Sequence, residues 1–82
     1  MKKKIVKYYY YDEESILLVN HKGKIRRLYT PFKVLCMETI DNLRRGVWVY
    51  VDAVRNSDKD ELIYLIQGKE YLHFNFCIQI GF

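Results

Sequence analysis

The sequence predicts an all-β domain, and three observations lead there. Short runs of β-branched and aromatic residues are separated by Gly, Asn and Asp breaks. After Gly46, apolar and outward positions alternate with a period of two. Composition is that of a packed globule: half of the 82 residues are hydrophobic and 16% are aromatic, against one proline and four glycines. Those proportions exclude disorder, collagen, coiled coil and linker. At this length the chain is a single domain, 1–82, with a core just large enough to fold unaided.

The elements follow in order. Ile5 to Tyr11 is β-branched and aromatic, four polar residues from Asp12 to Ser15 break it, and Ile16 to Val19 resumes the apolar run: strand, turn, strand. Asn20 to Gly23 is the next break, with Gly23 able to take positive φ, and Lys24 to Tyr29 follows as a third strand. The first thirty residues therefore read as an antiparallel meander. Its third strand, basic and poorly alternating, suits an edge.

The middle segment supports two readings. Thr30 as N-cap, Pro31 at the first helical position, Phe32, Leu35, Cys36, Ile40 and Leu43 at helical spacing, and Arg44 and Arg45 before Gly46 describe an amphipathic helix over about 31–45. Against it, Phe32, Val34 and Cys36 alternate as a strand would, and Ile40 to Leu43 looks like a turn. An α+β architecture with that helix is thus the alternative to the all-β fold.

Beyond Gly46, Val47, Val49, Val51 and Ala53 face one way and Trp48, Tyr50 and Asp52 the other. Residues 56–60 form a solvated loop, Leu62 to Ile66 a strand, and Gln67 with Gly68 a two-residue hairpin turn leading to Tyr71. Leu72, Phe74, Phe76, Ile78, Ile80 and Phe82 line one face of the last segment. The expected core is Val47, Val49, Val51, Leu62, Tyr64 or Ile63, Ile66, Phe74, Phe76 and Ile78.

Net charge is +4, unevenly spread. Residues 1–35 carry nine Lys and Arg against three Asp and Glu, and the remainder five against seven. A positive half of this kind attracts phosphate or an acidic protein surface. Lys2, Lys3 and Lys4 resemble the start of an export signal, yet Ile5 and Val6 are followed by Lys7 and four tyrosines instead of an apolar region, so a cytoplasmic chain is expected. No apolar run approaches the roughly twenty residues that span a bilayer, so no membrane association is expected. Cys36 and Cys77, each in an apolar context, are expected as buried reduced thiols, with a disulfide as the alternative.

Residues 29–37 (Tyr29 to Met37), then Ile40, Leu43 and Gly46, then Val49, Tyr50 and Val51, then Leu62 to Ile66, Gly68, Lys69, Tyr71, Phe76 and Ile78 together resemble a loose group of small SH3-like barrel proteins from bacteria, phages and mobile elements. The resemblance spans about residues 29–80. It implies an SH3-like barrel at 29–82, with residues 1–28 as an added hairpin or meander. It also implies strand plus long loop for the middle segment and a single helical turn at Leu72 to Asn75. It implies no catalytic site.

Candidate chemistry is sparse. His21, Cys36, His73 and Cys77 lack the spacing of a zinc site, and there is no Cys-x-x-Cys. No histidine neighbours a nucleophile in sequence, and an 82-residue barrel offers little concave volume, so no enzymatic activity is expected. The four isolated glycines make no phosphate loop, so no cofactor is expected.

Two binding readings remain. A protein-interaction module, meeting a partner protein or a second copy, would use Trp48, Tyr50 and Tyr71, with Tyr64 as a further ring; a meander folded over these rings would instead make the patch internal. Single-stranded nucleic-acid binding would use Lys2, Lys3, Lys4, Lys24, Arg26 and Arg27 with the Tyr8 to Tyr11 rings, of which strand alternation should expose at most two. The plain alternative there is a Tyr-rich core strand with a solubilising lysine tail.

Overall fold

A computed structural model describes residues 5–79, and among them every regular element but one 3-10 turn is a strand. β1 (Ile5–Asp12), β2 (Ser15–Asn20) and β3 (Ile25–Tyr29) form an antiparallel meander. β4 (Phe32–Cys36), β5 (Trp48–Val51) and β9 (Phe76–Cys77) form a second sheet, in the order β5-β4-β9. β6 (Ala53–Asn56), β7 (Leu62–Ile66) and β8 (Lys69–Leu72) form the third. The fold is all-β, as the alternation and composition predict.

The helix over 31–45 does not form. Phe32, Val34 and Cys36 are buried while Lys33 is exposed, and Val34 pairs with Val49 and Phe32 with Val51. A two-residue period is the only one that puts all three side chains inside, and the valine-rich β5 supplies the partner strand that local propensity ignores. Thr30 caps no helix; its N–H donates to the Glu14 carbonyl (2.9 Å) and fastens β3 to the β1–β2 turn. The long connection after β4 is tied by reciprocal backbone bonds between Ile40 and Leu43 (2.9 and 2.8 Å) and by the Gly46 N–H to the Cys36 carbonyl (2.8 Å).

The chain from Trp48 to Asn56 bends at Asp52, whose N–H donates to the Leu65 carbonyl (2.8 Å), and so passes from the second sheet to the third. The bend resets the alternation. Val51 and Val54 are both fully buried, whereas Ala53, expected inward, is only half-buried. Gln67 and Gly68, both at positive φ (53° and 80°), make the tight turn between Ile66 and Lys69, a geometry of the mirror-image hairpin turns that glycine adopts freely.

The core joins Ile16 and Leu18 of the meander to Phe32, Val34, Cys36, Leu43, Val49, Val51, Val54, Leu62, Tyr64, Ile66, Tyr71, Phe76 and Ile78. Tyr64, not Ile63, is the fully buried residue at that step of β7. Two expected core residues are outside it. Val47 precedes β5 and is exposed, and Phe74 is 61% exposed because His73–Asn75 is a single 3-10 turn that breaks the alternation. Ile80 and Phe82 lie outside the described residues. Both cysteines are free thiols; Cys36 is buried but Cys77 only half-buried.

The contrast between neighbouring phenylalanines is measurable. Phe76→Ala should destabilise the domain by about 3–5 kcal/mol in urea unfolding. Phe74→Ala should cost under about 1 kcal/mol, as expected of an exposed side chain. Equal losses would contradict the placement of the turn.

Candidate binding faces

Burial of Val49 and Val51 turns Trp48 and Tyr50 outward, at 45% and 57% exposure. Lys33 pairs with Tyr50, and Leu35 with both Trp48 and Cys77, so these five side chains share the outer side of the second sheet. The Lys33 ammonium lies 5.3 Å from the Trp48 ring centroid. The meander does not cover these rings.

Tyr71 does not join this face. It is buried, pairs with Tyr64 across β7 and β8, and stacks edge-on with Phe76 at 5.9 Å. Its hydroxyl donates to Asp41 (3.2 Å), and burial together with that carboxylate raises its pKa. Tyr64 is likewise a core residue, with its pKa raised by burial. In both cases the inward parity of β7 and β8, invisible without the pairing, decides the matter.

The meander has its own outer face. Tyr9, Leu17 and Arg27 lie directly opposite one another across β1, β2 and β3, flanked by the row Lys7, Val19 and Ile25. Tyr29 pairs with Ser15, and Tyr11 sits in the register shift between Tyr10 and Asp12. Tyr10, paired with Ile16 on the opposite face from Tyr9, is also exposed, so three of the four consecutive tyrosines reach solvent, one more than alternation alone allows.

Arg27 is held in place from four sides. Its guanidinium carbon is 3.8 Å from the Tyr11 ring centroid and 4.8 Å from that of Tyr29. Its Nε donates to the buried Ser15 Oγ (3.0 Å) and its Nη2 to Asp12 Oδ2 (3.3 Å). Asp12 Oδ1 accepts from the Glu14 N–H and the Ser15 hydroxyl (2.9 Å each). These bonds, the backbone one first, hold the Asp12 carboxyl below its usual pKa.

The basic candidates among the described residues do not share one face. Arg26 pairs with Leu18 and Arg27 with Leu17, so these consecutive arginines project to opposite faces of β3. Lys24 is exposed in the β2–β3 turn, which Asn20 organises by accepting from the Lys22 and Lys24 N–H groups through Oδ1 (2.9 Å each). Lys2, Lys3 and Lys4 lie outside the described residues. Tyr29 escaped the sequence reading because it closes a strand defined by its basic residues, and only the pairing brings it beside Tyr11.

His73 stacks between Tyr8 (5.5 Å) and Tyr64 (6.4 Å). Among the described residues no three His, Cys, Asp or Glu side chains come together as metal ligands, and no helix is long and apolar enough to cross a membrane. Compared with known proteins, the chain matches no family model, no curated protein and no solved structure.

Two measurements check this chemistry. Burial lowers the His73 pKa, with the Glu61 carboxylate opposing. Its folded-state midpoint, followed by NMR, should therefore lie below about 6.5, the unfolded value. The linked stability is complete above that value and is lost as pH falls through the folded midpoint. Separately, Asn20→Ala removes the acceptor of two turn amides and should lower stability by about 1–3 kcal/mol in chemical denaturation.

Proposed function

We propose that this chain is a non-catalytic protein-interaction module, an SH3-like small barrel carrying an N-terminal meander, whose working surface is the outer side of the β4–β5 pair. The barrel reading is supported by the continuous segment that bends at Asp52 and joins two small sheets around one core. It agrees with the resemblance to small proteins of bacteria, phages and mobile elements. The observation that carries the function is the outward pair Trp48 and Tyr50, with Lys33 beside them. Burial of the valines makes their exposure unavoidable, and aromatic rings so placed are the residues that anchor protein interfaces. An apolar patch next to an ammonium fits a protein segment with an apolar anchor beside a carboxylate.

Light scattering should find a monomer whose Trp48 fluorescence is that of a hydrated indole. A host protein retained by the wild-type domain should be lost by Trp48→Ala and by Tyr50→Ala, each costing about 2 kcal/mol or more of binding, and its binding should shift Trp48 emission to the blue. A dimer with an already buried indole, or retention unaffected by both substitutions, would overturn the reading.

A further inference from the structure

We propose that the outer face of the meander is a second and chemically different site, a platform for single-stranded polynucleotide on which bases stack against Tyr9, Tyr11, Tyr29 and the Arg27 guanidinium held between two of these rings, while Lys7 on that face and Lys24 in the turn at its end meet phosphates. This goes beyond the Trp48 face and uses none of its residues. Three tyrosines, 46%, 52% and 59% exposed, stand on one side of a three-stranded sheet. Bases taken out of a duplex bind such rings whatever their sequence, because every base has a π-face.

Charge names the occupant. Lys7 lies 5.9 Å from the Tyr9 ring centroid, and Arg27 stacks on both Tyr11 and Tyr29. Cation and ring are therefore interleaved along the face, the arrangement a strand of alternating base and phosphate requires. Lys7 pairs with Val19, next to Asn20 and the turn that holds Lys22 and Lys24. That end of the sheet is basic, while Asp12, Glu13 and Glu14 make the opposite end acidic. The polyanion is drawn to the Lys7 and Lys24 end and runs toward Arg27. There Asp12 and Ser15 fix the guanidinium plane as a stacking surface. The face is a three-stranded sheet and the described residues hold no recognition helix, so it selects unpaired strands over duplex.

Fluorescence anisotropy with labelled oligothymidylate and oligouridylate of about 12 nucleotides tests this. Binding to one or both at low salt is expected, weakening with a log–log salt slope of roughly −0.7 per phosphate met. Tyr9→Ala and Tyr29→Ala should each reduce affinity about 5- to 100-fold. Tyr9→Phe and Tyr29→Phe should retain it, which separates stacking from misfolding. Lys7→Glu with Lys24→Glu should weaken binding and flatten the salt slope. Trp48→Ala should change nothing, so this proposal and that of the Trp48 face fail independently. No binding to either oligonucleotide, equal affinity for duplex, or indifference to both alanine substitutions would overturn it. So would loss of a captured host protein in Tyr9→Ala while oligonucleotides are ignored, which would make the face a protein interface.

Discussion

The Tyr64 ring is the contact on which the three sheets converge. It belongs to β7, meets Phe32 of β4 edge-on at 5.6 Å and Phe76 of β9 at 6.0 Å, and reaches the meander through His73, which in turn stacks on Tyr8. Aromatic pairs at these separations add to the area they bury. In a domain of this size, one large side chain and its neighbour His73 link all three sheets. Burial raises the Tyr64 pKa, so its phenol stays neutral through the ordinary pH range.

The bend at Asp52 is the second constraint. By resetting the inward phase it lets one run of chain contribute Val49 and Val51 to one sheet and Val54 to the next. The cost is paid on the outside: with Val49 and Val51 committed inward, Trp48 and Tyr50 have nowhere to go but solvent. The meander repeats the logic. Ile16 and Leu18 face the core, and the opposite parity on three strands gathers rings and cations on one outer face. Each outward face is thus the geometric complement of a packed one.

Side chains close the turns that hold these faces in register. Asn20 ties the β2–β3 turn, Ser57 accepts from the Lys59 and Glu61 N–H groups (3.1 Å each), and Asp12 joins the β1–β2 turn to Arg27 on the far strand. Short polar side chains suit this because they reach backbone donors two and four residues further along the chain. The Asp12–Ser15–Arg27 arrangement does more, since it orders the one guanidinium that lies between two exposed rings.

What the sequence determined by itself is what rests on local pattern. The meander, the Gln67–Gly68 hairpin, the inward Val49 and Val51 and the outward Trp48 and Tyr50 were all legible, because period, turn chemistry and β-propensity are encoded within a few residues of one another. Tertiary structure decided whatever depends on a distant partner. Residues 32–36 carry a credible helical pattern and became a strand because β5 offered a ladder and a buried face. Tyr71 and Tyr64 were placed inside by pairing across β7 and β8, and Phe74 was turned out where a 3-10 turn broke the alternation. Tyr11, Arg27 and Tyr29 became one cluster through a register shift in β1 and the pairing of three strands. A strand's parity is local information, but which parity faces the core is settled only when another sheet arrives to bury it.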